Sequence, residues 1–260
     1  MRRFAFALVL LVASSASAGD LVLRHHGMRI QVPDLAEGAR FYSEVLGFAI
    51  ASRAADRVSL MADDVVLELG RSEAKRARGR DSVSLALLVH DVDAWIARLN
   101  AASVKLRSET KLTEGVGYSL PFEDPFGNTI SLLQQTSREP APFTEPKIYN
   151  MGIYVRDVEE STRFYTTRLP FIALSQKYLP RDLPLGHADR SFGFMLHVHR
   201  STHVNPEPGD VQKVLLFATP DLAAARVELT RRGVELVEGR GRLAFRDNDG
   251  IVHEVVEAKD

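Results

Sequence analysis

The sequence predicts an α+β protein in which a strand, a helix and further strands recur four times. Three observations carry this prediction. The two halves of the 260-residue chain repeat each other, each half contains a weaker repeat of its own, and every copy places an aspartate directly before its helical segment. Apolar residues make up 45% of the chain and charged residues 26%, which is typical of a globular protein.

The first eighteen residues differ in composition from the rest of the chain. Arg2 and Arg3 precede an apolar stretch from Phe4 to Ala13, and the segment closes on Ala16-Ser17-Ala18. This order is typical of a secretory signal peptide, and the apolar stretch is short for a transmembrane helix. We therefore predict a signal peptide over residues 1–18. The mature protein is expected to be periplasmic or secreted and to have no membrane partner; an uncleaved anchor is the alternative.

Cysteine content and net charge exclude several classes of function. The chain has no cysteine, so disulfides, thiolate nucleophiles and cysteine-borne lipids are ruled out. Its formal net charge is −1, and no long basic run is present. We therefore expect no nucleic-acid partner.

The strongest repeat relates the two halves of the chain. The stretch VPDLAEGARFYSEVLGF at Val32–Phe48 recurs 123 positions later as VRDVEESTRFYTTRLPF at Val155–Phe171. The stretch FEDPFGNTISLL, which begins at Phe122, recurs at the same offset as FRDNDGIVHEVV from Phe245. A constant offset at both ends of such a long stretch indicates a duplicated domain.

A second repeat lies within each half. The segments Leu85–Leu106 and Val214–Leu236 have the same order as the stretch around the Arg-Phe-Tyr triplet: a strand, an aspartate, a helical pattern and a strand. The aspartates can cap the free N–H groups of the helices that follow. The predicted caps are Asp34, Asp91, Asp157 and Asp221.

A proline-rich segment separates the two halves. The stretch SREPAPFTEP at residues 137–146 contains three prolines and has the composition of a linker. We therefore place one domain at residues 27–136 and the other at residues 147–257.

The repeated stretches resemble the vicinal oxygen chelate superfamily, which includes glyoxalase I, bleomycin-resistance proteins and extradiol dioxygenases. The resemblance covers nearly the whole mature chain. It implies tandem βαβββ modules, four in number, that form two cup-shaped mixed sheets, each able to hold a ligand. It also implies, for members that use a metal, four ligand positions held by histidine, glutamine or glutamate. Such ligands suit zinc, nickel, manganese or iron.

In the first domain, the resemblance places the four ligand positions at Gly27, Glu68, Ser84 and Ser131. Only Glu68 could bind a metal there. Arg29 lies two residues after Gly27 and therefore on the same strand face. We predict that Glu68 pairs with Arg29 in a cup without metal.

His26 misses the first ligand position by one residue. Neighbouring residues of a strand point to opposite faces, so His26 could reach the cup only through a β-bulge.

In the second domain, the matching positions are Asn150, His197, Lys213 (or Gln212, if the alignment slips by one) and Glu254. His197 and Glu254 are acceptable metal ligands, whereas the charge of Lys213 opposes a cation. The sequence favours an ion pair between Glu254 and Lys213 beside a hydrogen-bonded His197. The alternative is a partial metal site at His197 and Glu254.

Four of the eight histidines fall close together, namely His187, His197, His199 and His203. His197 and His199 share a strand face. His199 could therefore complete a relocated metal site with His197, or the two could form a proton-shuttling pair.

The sequence favours an exported protein that binds a small organic molecule in a βαβββ cup, with no cofactor expected. The alternative is a divergent lyase or dioxygenase whose divalent metal site is rebuilt in the second domain. Whether the protein is an enzyme, and whether it forms a homodimer, stay open at this stage.

Overall fold

The computed structural model describes residues 21–62, 65–72, 82–113, 116–136, 143–198, 213–238 and 242–258. The predicted signal peptide, residues 137–142 of the predicted linker, and Gln212, His199 and His203 lie outside these ranges. Among the described residues, no helix combines the length and apolar character needed to cross a membrane.

Four successive βαβββ modules make up the described chain, which confirms the predicted α+β fold. The first module comprises β1 (Arg24–Val32), α1 (Leu35–Arg40), β2 (Ala49–Arg53), β3 (Arg57–Ala62) and β4 (Val65–Arg71). The second comprises β5 (Val83–Leu88), α2 (Val92–Ala101), β6 (Lys111–Thr113), β7 (Gly117–Glu123) and β8 (Thr129–Gln135). The third comprises β9 (Lys147–Val155), α3 (Val158–Thr167), β10 (Ile172–Ala173), β11 (Asp182–Gly186) and β12 (Phe192–Val198). The fourth comprises β13 (Lys213–Thr219), α4 (Leu222–Arg231), β14 (Glu235–Glu238), β15 (Leu243–Arg246) and β16 (Val252–Glu257).

Each helix begins at the aspartate that the sequence predicts as its cap. Asp34 accepts hydrogen bonds from the backbone N–H groups of Ala36 and Glu37, Asp91 and Asp157 each accept the equivalent two bonds, and Asp221 accepts one, from Ala224. These bonds satisfy N–H groups that have no partner within the helix. Helix α1 continues into a π-helical turn over Phe41–Val45.

The modules pair across the two halves of the chain. The first sheet has the strand order β14-β15-β16-β13-β1-β4-β3-β2, so it joins the first module to the fourth. The second sheet has the order β10-β11-β12-β9-β5-β8-β7-β6 and joins the second module to the third. The central pairs β1/β13 and β5/β9 are antiparallel. Each cup therefore draws on both halves, and the domain boundaries deduced from the sequence stay a prediction.

This pairing corrects the ligand sets deduced from the sequence. Gly27 and Glu68 share the first sheet with Lys213 and Glu254, whereas the other four positions belong to the second sheet. We refer to the open faces of the two sheets as the first cup and the second cup.

The apolar core lies between the sheets and the helices. Met28 and Ile30 on β1 are fully buried on this side, and Arg29 between them points into the first cup. The rings of Phe194 on β12 and Phe217 on β13 connect the two sheets, with centroids 5.7 Å apart. One core therefore supports both cups.

Candidate functional site

The first cup contains a cluster of charged side chains centred on Arg29. Arg29 lies beside Glu68 in the parallel register of β1 and β4, and its Nε donates to Glu68 Oε1 at 2.8 Å. The Nη2 of the same guanidinium bonds to Oε2 of Glu254 on β16. The predicted pair between Arg29 and Glu68 is confirmed. Glu254 pairs with Arg29 rather than with Lys213, so the favoured ion pair between Glu254 and Lys213 is wrong.

Arg242, just before β15, completes the cluster. Its Nη2 donates to Glu68 Oε2 at 2.8 Å, and its Nη1 lies 3.6 Å from Glu254 Oε2. Two guanidinium groups thus alternate with two carboxylates, and all four side chains are at most 16% exposed. Buried charges are tolerated when they are paired and hydrogen-bonded in this way. No motif in the sequence pointed to Arg242, because its segment has the composition of a turn.

His26 is the extra residue of a β-bulge in β1. Its neighbours His25 and Gly27 pair with consecutive residues of β13, which leaves His26 outside the ladder. Burial lowers the pKa of His26 and the charge of Arg242 lowers it too, while the carboxylate of Glu68 acts in the opposite direction. The bulge that His26 needs is thus present, and its imidazole lies within the field of the charge cluster.

Gly27 leaves no space for a side chain. A Cβ atom there would lie 1.9 Å from the carbonyl oxygen of Val66 on β4. A backbone oxygen of a paired strand cannot rotate away, so the strand itself would have to shift. The first of the ligand positions implied by the resemblance is therefore closed to any ligating residue in this chain.

Lys213 lies on the other face of the first sheet. It pairs with Ile30 in the β1/β13 register, and its neighbour Val214 pairs with Arg29. Directly opposed residues of two antiparallel strands share a face, so Val214, not Lys213, faces the cup. The ammonium of Lys213 donates to the carbonyl of Thr129 on β8 at 2.7 Å. The placement of Lys213 at a ligand position is therefore wrong by one residue.

The second cup is lined by polar side chains that are mostly uncharged. Ala86 on β5 pairs with Ser131 on one side and with Asn150 on the other, so these three residues share the cup face. Ser84 lies two residues earlier on the same face. Its hydroxyl is buried and has no hydrogen-bond partner among the described residues.

His197 faces the second cup and is held by Asp182. The two residues are opposite each other on β11 and β12, and Nδ1 of His197 lies 2.9 Å from Asp182 Oδ1. Burial would raise the pKa of Asp182, but hydrogen bonds from His197 and Arg181 outweigh it, so the net shift is downward. The ring of Tyr154 lies beside the imidazole, with centroids 5.2 Å apart.

The structure separates the two residues of the predicted metal site. His197 lies in the second sheet and Glu254 in the first, because the third and fourth modules enter different sheets. His187 is also remote from the cup, since its Nε2 accepts the backbone N–H of His25. In the described ranges, no group of three or more histidine, aspartate or glutamate side chains is arranged to hold a metal ion. Metal binding by the whole chain stays a prediction.

The four βαβββ modules and their two open mixed sheets define an α+β fold with two cups. In sequence, residues 23–132 match the family described as the Glyoxalase/Bleomycin resistance protein/Dioxygenase superfamily. This segment is similar to that superfamily in sequence, and both halves of the chain have its fold. The resemblance recognised from the motifs is thereby confirmed.

Solved structures support the same conclusion over most of the chain. Glyoxalase I from Zea mays is similar with a TM-score of 0.67 and 19% identity, over 91% of this chain and 92% of that one. A putative dioxygenase from Bacillus subtilis subsp. subtilis str. 168 is similar with a TM-score of 0.66 and 12% identity, over 91% of this chain and 86% of that one. Both likenesses concern the fold. No curated protein matches the sequence significantly.

Proposed function

We propose that the protein is an exported member of this fold that binds a small organic molecule in its second cup without a metal ion. The supporting observation is the contrast between the two cups. In the first, the four charged side chains pair with one another and are nearly closed off from solvent, and of their buried nitrogens only Nη1 of Arg242 makes no hydrogen bond among the described residues. In the second, half-buried polar groups surround a buried hydroxyl that has no partner among the described residues.

This contrast favours the second cup because polar groups set the orientation of a small ligand. Ligand sites typically combine apolar walls with a few polar groups that are available for bonding. The hydroxyl of Ser84 is such a group, and the Nε2 atom of His197 is not used in its bond to Asp182.

A metal ion in the first cup would have to displace cations that are already bonded. Glu68 and Glu254 each pair with Arg29 and Arg242. A divalent ion usually takes three or more protein ligands, and the two carboxylates would first have to release both guanidinium groups.

Thermal-shift screening of small organic molecules, with native mass spectrometry for co-purified ligands, tests the binding. The blocking variant is Ala86→Phe, which adds a ring between Ser131 and Asn150 in the second cup. Its matched control is Val66→Phe, on the cup face of β4 in the first sheet. We expect Ala86→Phe to abolish ligand-induced stabilisation and Val66→Phe to retain it. The reverse pattern would assign the ligand to the first cup.

Elemental analysis of the purified protein tests the metal-free part of the proposal. We expect no stoichiometric zinc, nickel, manganese or iron. A stoichiometric metal that Glu254→Gln removes would instead support the metal-dependent lyase or dioxygenase.

Export is tested separately by intact-mass measurement. Protein recovered from an exporting host should begin near Gly19. A soluble protein that retains residues 1–18 would contradict export by this signal.

A further inference from the structure

We propose that the first half of the chain has a ligand site outside both cups, for a small planar cation with a guanidinium or amidinium group. The site is a cavity of about 760 Å³. It lies between the π-helical turn that follows α1, the C-terminal end of α2 and the turn that joins β7 to β8. The inference is independent of the function proposed for the second cup.

The two halves of the chain build the same helix end beside this cavity. Ser103 follows α2 and Gly233 follows α4, and their φ angles are 56° and 69°. The next residue in each half bonds back to its helix, with Val104 N 2.9 Å from the Leu99 carbonyl oxygen and Val234 N 3.0 Å from that of Leu229. The last carbonyl groups of the two helices are therefore presented in the same way.

In the second half, an arginine of the chain itself binds these carbonyl groups. Nη1 of Arg168 donates to the carbonyl oxygen of Arg232 at 2.8 Å and to that of Gly233 at 2.7 Å. The C-terminal end of a helix carries partial negative charge and favours a cation. The second half thus shows which chemical group this helix end accepts.

In the first half, the corresponding arginine is missing. Val45 stands 123 positions before Arg168, and it lines the cavity together with Ala102 and Ser103. In the part of the chain that the structure describes, no side chain gives the carbonyls of Ala102 and Ser103 the bonds that Arg168 makes. The nearby Arg98 donates to the carbonyl of Glu44 instead, at 3.0 Å. A cation from solution can therefore take the place of the missing guanidinium.

Ser103 changes where such a cation can lie. A Cβ atom at Gly233 would be 2.6 Å from Nη1 of Arg168, so the serine side chain excludes a nitrogen from the equivalent position in the first half. A ligand that is not tethered to the chain can lie farther from Ser103, in the space that the shorter Val45 leaves. The serine hydroxyl at the cavity wall then adds a further hydrogen-bonding group.

The charges around the cavity also favour a cation. Four carboxylates line it against two cations, namely Glu37, Glu44, Glu123 and Asp124 against Arg40 and Lys105. Lys105 pairs with Glu123 at 2.9 Å, and Asp124 accepts from Tyr42 at 3.0 Å. Glu37 and Glu44 form no ion pair within the described ranges, and their joint charge exceeds that of Arg40.

Two aromatic rings indicate the shape of the ligand. Phe41 and Phe126 line the same cavity. Aromatic faces attract cations and offer flat apolar surface. A planar organic cation therefore suits the site better than a compact inorganic ion.

The test compares benzamidine, a planar cation, with benzamide, which has a similar shape but no charge. Calorimetric titration of the purified protein at a fixed ionic strength and neutral pH measures both affinities. We expect benzamidine to bind about tenfold more tightly, as one charge-assisted hydrogen bond allows. Ala86→Phe, which blocks the second cup, should leave benzamidine binding unchanged.

Substitutions show whether the missing arginine explains the site. Val45→Arg combined with Ser103→Gly reproduces the arrangement of the second half, so the new guanidinium should occupy the carbonyls and abolish benzamidine binding. Ser103→Gly alone should retain it. The matched control combines Ser103→Gly with Val227→Arg, which adds the same charge at an exposed position of α4 and should also retain binding.

A milder substitution tests the lining without refilling the cavity. Glu44→Gln should weaken benzamidine binding about threefold, as loss of one exposed charge allows. Its control is Glu159→Gln, at an exposed position of α3, which should change nothing.

Equal affinity for the two probes, or no binding of benzamidine at millimolar concentration, would overturn the inference. Unchanged benzamidine binding in the Val45→Arg and Ser103→Gly double variant, or in Glu44→Gln, would also overturn it. Loss of benzamidine binding in Ala86→Phe would assign this ligand to the second cup and exclude the site at Val45.

Discussion

Tyr165 donates a hydrogen bond from its hydroxyl to Asp247 Oδ2 at 2.7 Å, and Tyr42 makes the equivalent bond to Asp124 at 3.0 Å. Each tyrosine belongs to an Arg-Phe-Tyr triplet, and each aspartate to an F-x-D-x-x-G motif of the same half. The two repeated motifs are therefore bonding partners. These contacts join the two modules of one half, whereas the sheets join modules of different halves.

The first prediction concerns Tyr42→Phe. Burial raises the pKa of Asp124, and hydrogen bonds from Asn128 and Tyr42 offset part of that rise. Because this pKa lies above its unfolded value of 3.8, the stability that Asp124 contributes is lost as the pH rises from 3.8 through the folded pKa. Removing the tyrosine hydroxyl raises the pKa further. We therefore expect Tyr42→Phe to lose about 1–3 kcal/mol at pH 7 and less in acid.

Urea unfolding of the variant and the wild type, at pH 7 and at a pH near 3.8, measures the loss of unfolding free energy under each condition. Tyr118→Phe, at an exposed tyrosine, should change neither value. A loss that is as large in acid as at neutral pH would contradict the role given to Asp124.

The second prediction concerns the charge cluster of the first cup. Arg29→Met leaves the buried carboxylates of Glu68 and Glu254 with one guanidinium instead of two. Uncompensated buried charge is costly, and we expect a loss of about 3–5 kcal/mol in unfolding free energy. The control is Arg24→Met, which breaks the solvent-exposed pair with Asp189 and should cost at most about 1 kcal/mol. Denaturant titration of both variants measures these losses. Equal losses of unfolding free energy in the two variants would refute the structural role of the cluster.

The third prediction concerns acid stability. Burial lowers the pKa of His25 from 6.5 to about 3, and the neighbouring His187, His26 and His253 add to the effect. A base with a depressed folded pKa stabilises the fold above its unfolded pKa, and that stability is lost as the pH falls from 6.5 towards 3. His25 alone accounts for at most about 1.4 kcal/mol per pH unit in this window.

Unfolding free energies measured between pH 7 and pH 4.5 should show this decline, and His25→Phe should make it shallower. The exposed control His90→Gln should leave the slope unchanged. An unchanged slope in His25→Phe would assign the acid sensitivity to other groups.

The fourth prediction concerns a chain divided between residues 137 and 142. Each half alone would leave β1 without β13 and β5 without β9, which exposes the central edges of both sheets. We expect the halves to co-purify when they are expressed together and to aggregate or self-associate when expressed apart. Affinity capture of one tagged half, followed by light scattering, measures this. Two stable monomeric halves with native circular dichroism would be incompatible with the exchanged sheets.

The sequence predicted the features that depend on local pattern. The constant offset indicated the modules, the aspartates indicated the helix starts, and the spacing of Arg29 from Gly27 placed that arginine on the correct face. The sequence could not predict which modules pair, because each module presents a strand edge that can pair with a module of its own half or of the other half. Because the first module pairs with the fourth, the contact between Arg29 and Glu254 spans 225 positions. Lys213 was misplaced because one residue of register reverses the face of a strand.

The exchange of modules between sheets has a consequence for how the chain can change over time. Residues that are close in sequence, such as Glu68 and Ser84, belong to different cups, while Arg29 and Glu254 at opposite ends of the chain share one. Each half of the chain thus contributes one βαβββ module to each cup. A substitution on the cup face of β4 changes the lining of the first cup alone, and one on the cup face of β5 changes the lining of the second alone, so the two linings can diverge independently. The first cup contains a nearly closed charge cluster and the second is lined by half-buried polar side chains, although both are built from repeats of one βαβββ pattern.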